Sequence, residues 1–160
     1  RGPARAMLDP PLDTWYVWLG LGIVSVLVTG LALALPTTAP PSATPVADAI
    51  DSVAASPHEA STTVDVPADQ LRVRPDSVAL RDESGTAHAE IAYGPVTPVG
   101  NGKLRRVLAG TQPDAVFASQ SAFERATRAA RHRTATWRET PERLTVARVE
   151  WGAVDATLVG

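Results

Sequence analysis

The sequence predicts an α+β protein in which one N-terminal transmembrane helix is followed by a small exterior domain of antiparallel strands with two or three helices. Three observations support this prediction. An uncharged apolar run occupies residues 15–35, apolar and polar residues alternate between positions 64 and 90, and a helical repeat with a capping pattern lies between positions 121 and 133. Of the 160 residues, about 115 lie beyond the apolar run and its Pro-rich continuation, which is the size of one ordinary domain.

The apolar run extends from Trp15 to Leu35 without a charged residue. As a helix, a run of this length spans about 31 Å, which matches the hydrocarbon core of a bilayer. Trp15, Tyr16 and Trp18 stand at its beginning, and such amphipathic rings settle at the level of the lipid headgroups. We therefore expect membrane lipid to be the partner of Trp15–Leu35.

The basic residues predict on which side of the membrane the domain lies. Arg1 and Arg5 precede the run, and the next basic residue is Arg72. Because cytoplasmic flanks are enriched in Lys and Arg, we expect segment 1–14 in the cytoplasm and the domain outside the cell membrane. Met7 is an alternative start that would remove both arginines, and the absence of basic residues directly after the run would still favour this topology.

A cleavable signal peptide is the alternative to a retained anchor, because Ala32-Leu33-Ala34 offers small residues at the two positions that signal peptidase inspects. The run is longer than the apolar region of a typical signal peptide, about 7–15 residues, which favours the anchor. Small residues also form a stripe along the helix, which either lets two helices associate closely or simply faces lipid. The stripe consists of Gly22, Ser25, Thr29 and Ala32.

A Pro-rich stalk, residues 36–45, is predicted between the membrane helix and the exterior domain, residues 46–160, because its prolines cannot continue a helix. Within the domain, helical spacing alternates with the two-residue period of strands. The predicted elements are a helix at 46–56, strands near 64–66, 71–73 and 78–80, a hairpin turn at 82–85 leading into a strand at 86–93, a loop at 94–102, a helix at 103–110 that stops at Gly110, a helix at 122–133 capped by Ser121, and strands at 134–139, 143–151 and 153–160.

The sequence contains no motif of an enzyme, a cofactor site or a metal centre. With no Cys, disulfides, thiol nucleophiles and Cys-based zinc sites are excluded. His88-Ala89-Glu90 matches the start of a zinc deaminase signature, but that signature needs a downstream Cys pair. His58 lies near the carboxylates of the first helix. We interpret these residues as ordinary surface side chains and not as a metal site. We expect no catalytic residue, no cofactor, no metal and no small-molecule substrate.

Charge is divided unevenly along the chain. Residues 36–101 carry three Arg against nine acidic residues, and residues 102–148 carry ten Lys or Arg against four acidic residues. Either the two halves pack together and neutralise each other, or the second half presents a basic contact face to lipid headgroups or an acidic partner. The candidate contact residues on the last helix are Arg125, Arg128, Arg131 and Arg133. The exterior location argues against nucleic acid.

Four segments of the chain carry a family resemblance: LDPPLDTWYVWLG (8–20), AIDSVAAS (49–56), HAEIAYGPVTPV (88–99) and VEWGAVDATLVG (149–160). In these segments the chain resembles an uncharacterised family of haloarchaeal single-pass membrane proteins, often encoded near archaeal type IV pilus or Tad-like secretion genes. The resemblance implies a role at the cell surface. It assigns no functional residue, because the family has no known activity.

The function expected from the sequence is that of a non-enzymatic, membrane-anchored exterior protein, an accessory structural or interaction subunit of a pilus-like or secretion assembly. Its partners would be other membrane or surface-assembly proteins. The alternative is a binding module for surface glycans or anionic polymers, which would use the basic C-terminal face. An enzyme of unrecognised type is the third interpretation.

Overall fold

The computed structural model describes residues 21–26 and 41–160. Contacts divide the chain into two units, Arg1–Ala39 and Pro40–Gly160. In the first unit, residues 21–26 are helical. Among the described residues, no helix has the length and apolar character needed to cross a membrane, and most of the predicted span Trp15–Leu35 lies outside those residues.

Two members of the predicted small-residue stripe, Gly22 and Ser25, lie in the helical stretch 21–26. A Cβ atom added to Gly22 would have no atom within 4 Å, so the helix surface is open there. Thr29 and Ala32 fall outside the described residues, as do the first five residues of the predicted stalk.

Residues 41–160 form four helices and eight strands, which confirms the predicted α+β class. The helices are α1 Thr44–Ala54, α2 Lys103–Leu108, α3 Pro113–Val116 and α4 Gln120–Arg131. The strands are β1 Ala60–Val64, β2 Gln70–Val73, β3 Ser77–Asp82, β4 Gly85–Glu90, β5 Thr97–Pro98, β6 Arg138–Glu139, β7 Leu144–Trp151 and β8 Val154–Val159.

The strands build two four-stranded sheets. The first sheet has the order β1-β7-β8-β5 and the second has the order β4-β3-β2-β6. All pairs are antiparallel except β5 with β8. The two tight hairpins, β3–β4 and β7–β8, close on the pairs Asp82–Gly85 and Trp151–Val154. Gly152, between the predicted strands at 143–151 and 153–160, has φ +61°, a left-handed conformation that glycine adopts without strain.

The first core lies where the inner face of the second sheet and one face of the first sheet meet α1. It is formed by alternate residues of the strands and by the apolar stripe of the helix, as expected when period-2 and period-3.6 patterns bury one face each. Its fully buried large side chains include Val46, Ile50, Leu71, Val78, Leu80, Leu144, Val146 and Val159.

The second core lies on the opposite face of the first sheet, beneath α2, α3 and α4. Phe123 of α4 is fully buried. Its ring centroid lies 5.4 Å from that of Phe117 and 6.2 Å from that of Trp151, in the tilted or edge-on arrangements that aromatic pairs favour. Because β7 and β8 carry buried residues toward both cores, these two strands form the centre of the domain.

Two local predictions are corrected by the structure. The N-cap of α4 is Ser119, whose Oγ accepts the backbone N–H of Ala122 at 3.2 Å, while Ser121 lies inside the first turn. The first strand is Ala60–Val64, earlier than predicted, because its pairing partner β7 reaches Val64 at Leu144 and continues to Arg148 opposite Ala60. Because this register is set by a strand 80 residues further along the chain, the sequence around β1 contains no signal for it.

Two side chains connect α1 to the strands through hydrogen bonds. Asp51 accepts the backbone N–H groups of Ala92 and Tyr93 at 3.1 and 2.9 Å, which fixes the chain directly after β4. Arg148 of β7 donates to the carbonyl oxygen of Ala54 at 3.1 Å and to that of Ser56, so a cation stands at the C-terminus of α1, where the helix dipole favours positive charge.

Candidate functional site

The arginines of the predicted contact face lie in different environments. Arg125 is exposed. Nη2 of Arg128 lies 2.5 Å from Oε1 of Glu124, its ion-pair partner one helical turn away. Arg131 is half-buried and donates from Nε to Oγ1 of Thr97 at 2.9 Å. Two of the helix arginines are therefore already engaged within the domain.

A cleft of about 460 Å³ runs between α4 and the beginning of β8. Its charged lining is mixed, because Arg128 and Arg131 share it with the acidic residues Glu124 and Asp155. Burial lowers the pKa of Arg131, and the negative charge of Asp155 acts in the opposite direction. A cleft in which acids and bases alternate offers no strong preference for a charged ligand.

Arg133, the fourth predicted residue, lies beyond the end of α4 and lines a smaller groove of about 150 Å³. We call this the arginine groove; its lining consists of Val73, Pro98, Val99, Gly100, Ala130, Arg133, Thr134, Ala135, Thr136 and Arg138. Two arginines, two threonine hydroxyls and a glycine-containing loop thus meet in a space large enough for about five water molecules. No acidic side chain belongs to this lining.

Arg138 of β6 is the central group of the arginine groove. Its Nη1 donates to the carbonyl oxygen of Val99 at 2.9 Å, while Nη2 is buried and has no hydrogen-bond partner. Burial lowers the pKa of Arg138, and the positive charge of Arg105 lowers it further. None of the ion pairs found among the described residues includes Arg138. A partly buried cation without a counter-charge is costly, so this guanidinium is poised to gain from an added anion.

A second basic feature lies on the outer face of the second sheet, the face opposite to the one that carries Arg138, since Arg138 is paired with the inward residue Leu71. The guanidinium carbons of Arg72 and Arg81 lie 4.4 and 4.1 Å from the ring centroid of Trp137, within the range of cation–π attraction. Nε of Arg81 also donates to Oγ1 of Thr86 at 3.3 Å. We call Arg72, Arg81 and Trp137 the arginine–tryptophan surface. The ring stacks against both guanidinium groups and so holds them in place.

Sequence reasoning did not find Arg138 or the arginine–tryptophan surface. In the sequence, Trp137 is simply part of the predicted strand at 134–139. The residues that meet here come from β2, β3, β6 and the loop at 98–100, which are distant in sequence and meet only in the folded domain. The available signal was the absence of any acidic residue between Glu124 and Glu139 in a segment with five arginines.

The histidines and acids considered for metal chemistry have structural or solvent contacts. His88 and Glu90 point outward from β4 and are exposed. Glu59 accepts the backbone N–H of Glu150 at 3.1 Å, and Asp51 is engaged by Ala92 and Tyr93. Within residues 21–26 and 41–160, no group of three or more His, Asp or Glu side chains is arranged to hold a metal ion.

Comparison with known proteins places the chain in a family. Residues 9–149 match the profile described as "Family of unknown function (DUF7283)". No curated protein and no solved structure matches the chain. The match extends from the predicted membrane segment to the last but one strand of the domain, so both parts of the chain are family features.

Proposed function

The chain belongs to this family of unknown function, DUF7283, and we propose that it is a non-enzymatic binding module that is anchored in the cell membrane by Trp15–Leu35 and holds anionic groups of surface glycans or polymers outside the cell. The observation that supports this proposal is Arg138, a half-buried guanidinium with an unpartnered Nη2 in a groove that it shares with Arg133. An oxyanion bound in the groove would supply the missing counter-charge.

The arrangement around the groove favours a chain-like acidic ligand over a single small ion. Trp137, which orders the two guanidinium groups of the arginine–tryptophan surface, is the neighbour of Arg138 in sequence. A polymer with repeated carboxylate or sulfate groups could contact both features by passing over the β6 edge of the second sheet, with one group in the groove and another on the outer face. Binding of this kind is weakened by salt, since its charges are partly exposed.

The experiment compares variants of the full chain in detergent micelles. Binding of a sulfated heparin oligosaccharide and of polyglutamate is measured by titration calorimetry at low and high salt, with neutral dextran as the blank. The affinity of the Arg133→Gln/Arg138→Gln chain is expected to fall about tenfold or more, because this variant loses one or two charge-assisted hydrogen bonds to the ligand. Arg143→Gln is the matched control, because its side chain is 72% exposed and lies 3.7 Å from Asp65, outside the groove.

Equal affinity of the groove variant and the control would refute the assignment of Arg138. A further variant, Arg125→Gln/Arg128→Gln, separates the groove from the helix face predicted from the sequence. If the helix variant loses affinity and the groove variant keeps it, the binding surface is α4 itself. Thermal unfolding of each variant identifies losses that are due to misfolding.

A second candidate function is that of an accessory structural subunit in a pilus-like or secretion assembly with other membrane proteins, as the resemblance to haloarchaeal single-pass proteins implies. The feature that favours it is β4, an edge strand of the second sheet whose outward residues are exposed. Edge strands present unpaired backbone groups to other chains. After crosslinking in cells and purification in mild detergent, partner proteins should accompany the chain; a lone monomer would contradict the role.

The exterior, membrane-bound location is part of both candidates. It is supported by the uncharged run 15–35 and by the apolar side chains of Leu21, Ile23, Val24 and Val26, which are 54–72% exposed in the helical stretch. Protease added to intact cells should degrade residues 46–160, while the chain stays in the pellet after a carbonate wash. A protected domain would mean the opposite topology, and release into the medium would mean that the run is a signal peptide.

A further inference from the structure

The edge strand β4 has the features of a surface that pairs with its own copy. β4 forms the end of the second sheet, and its only strand neighbour among the described residues is β3. Its ladder with β3 is continuous from Glu90 to Gly85 and contains no bulge. The strand reads Gly-Thr-Ala-His-Ala-Glu, without the Lys, Pro or bulge that usually protects an edge from pairing.

The hydrogen-bond pattern shows which backbone groups of β4 are directed outward. Ile91 donates its N–H to the carbonyl oxygen of Asp76 at 2.8 Å, so the odd-numbered residues of this strand face β3. In an antiparallel ladder the direction alternates from one residue to the next. The backbone groups of Thr86, His88 and Glu90 are therefore directed away from β3, and the side chains of these residues are exposed on the outer face.

Asp51 sets the limit of this open edge. It accepts the N–H of Ala92 and the N–H of Tyr93, so the outward group of Ala92 is already engaged by α1. The open part of the edge consequently ends at Glu90. Tyr93, just beyond it, is 61% exposed and is the only large apolar side chain in residues 41–160 with this degree of exposure.

We propose that β4 pairs antiparallel with β4 of a second copy of this chain, around a two-fold axis at Ala89. In this register each His88 stands directly opposite Glu90 of the other copy, so that an imidazole N–H can donate to the carboxylate across the two strands. The register centred on His88 would place two imidazoles face to face and leave Glu90 opposite Thr86. The polar side chains of the strand are thus complementary to themselves in the Ala89-centred register. Tyr93 would then come next to the β3–β4 turn of the second copy.

This pairing specifies how the chain would act as an assembly subunit. It rests on that proposed role in one respect, which is that the membrane brings the two copies together. It joins two second sheets into one continuous sheet of eight strands. The arginine groove lies at β6, the opposite end of the same sheet. Two copies joined through β4 would therefore carry their grooves at the two outer ends, free for ligand.

The absence of Cys from the chain makes disulfide trapping a direct test in the full chain in its membrane. Residues directly opposite across a non-hydrogen-bonded pair are about 4.5 Å apart at Cα, within the range of about 4.4–6.8 Å that a disulfide spans. Ala89→Cys is therefore expected to give a reducible dimer under mild oxidation. Thr86→Cys is the control, because the two copies of that residue would lie about 20 Å apart along the paired strands.

The expected result is a dimer yield at least tenfold higher for Ala89→Cys than for Thr86→Cys, as the two distances require. On the Ala89→Cys background, His88→Glu should lower the yield by placing two carboxylates opposite each other, and adding Glu90→Lys should restore it. The proposal is overturned by a dimer that forms chiefly through His88→Cys, by adducts with another protein, or by the absence of a dimer. In the last two cases, partners found by crosslinking the natural chain would still support the assembly role.

Discussion

At the scale of single residues, the domain depends on a few carboxylates whose neighbours are backbone N–H groups. Asp51 belongs to the polar side of α1 and is half-buried, and it accepts hydrogen bonds from Ala92 and Tyr93. These two N–H groups come directly after β4 and have no strand partner. A helix position that appears only polar in the sequence thus connects two distant segments.

Replacement of Asp51 by Ala is expected to lower the free energy of unfolding by about 2 kcal/mol, because it leaves two backbone donors without their charged acceptor. Asp48→Ala is the matched control on the same helix, since Asp48 is exposed and should change stability by less than about 0.5 kcal/mol. Urea denaturation of both variants measures the difference. Equal stability of the two variants would show that the hydrogen bonds of Asp51 do not stabilise the fold.

Asp82 adds a pH-dependent contribution at the β3–β4 turn. The hydroxyl of Ser84 is the main cause that lowers its pKa below the ordinary 3.8, with the N–H groups of Ser84 and Gly85 acting in the same direction and burial acting against them. A carboxyl with a lowered pKa stabilises the fold above its unfolded pKa, and this contribution is lost as the pH falls through the folded pKa. Asp82→Ala should therefore unfold at a lower temperature than the natural chain at pH 7, and the difference should shrink below pH 3.8.

Glu83→Ala at the neighbouring position of the turn is the control for this measurement. Glu83 is exposed, and no contact of its carboxylate is needed for the turn, so its removal should leave the melting temperature nearly unchanged at both pH values. A gap between Asp82→Ala and the natural chain that stays constant down to pH 2 would contradict the ionic origin of the stabilisation.

At the scale of elements, the helices and hairpins that carry local sequence signals were predicted. Elements whose position depends on a distant partner lie elsewhere than the sequence predicted. The β3–β4 and β7–β8 hairpins, the helix that ends before Gly110 and the long helix α4 each carry turn, cap or periodicity signals within a few residues. Gly110 has φ +97°, as a helix stop requires. By contrast, the position of β1 depends on β7, and the arginine groove depends on the meeting of β6 with the loop at Val99. Sequence spacing does not reveal such meetings.

The N-cap of α4 gives a prediction that separates two serines. Ser119→Ala is expected to lower the free energy of unfolding by about 1 kcal/mol, because the N–H of Ala122 loses its side-chain acceptor. Ser121→Ala should have a much smaller effect, since Ser121 lies within the helix and Ala favours helical structure. The capping pattern in the sequence had selected Ser121. Thermal unfolding of both variants decides between them, and a larger loss for Ser121→Ala would support the pattern over the observed cap.

At the scale of the whole molecule, the core residues that the structure describes lie between Ala43 and Val159, in the second unit. The described residues of the first unit, 21–26, are exposed. A separate core is what allows a segment to fold by itself. The two-part organisation follows directly from composition, because the uncharged run and the prolines mark its boundary in the sequence.

A fragment of residues 41–160 is therefore expected to fold alone, with one cooperative thermal transition at a temperature within a few degrees of that of the domain in the full chain. Circular dichroism of the fragment and of the detergent-solubilised chain provides the comparison. A second fragment that starts at Ala55 and so lacks α1 is the control, and it should show no cooperative transition, because Val46 and Ile50 would be missing from the first core. A fragment of 41–160 without a transition would show that the first unit is needed for folding.

The central position of β8 has a consequence for the order of events during synthesis. β8 lies between β7 and β5 and contributes to both cores, and the hydrogen bond from Arg148 to Ala54 closes a loop of 94 residues. Until the ribosome has made β7 and β8, β1 and the three later helices lack the sheet on which they pack, and α1 lacks the first-sheet side of its core. The nascent chain therefore stays open through most of translation and remains suited to threading through a translocation channel. Chains stalled before Leu144 should be digested by protease within seconds, whereas chains released after Val159 should become resistant.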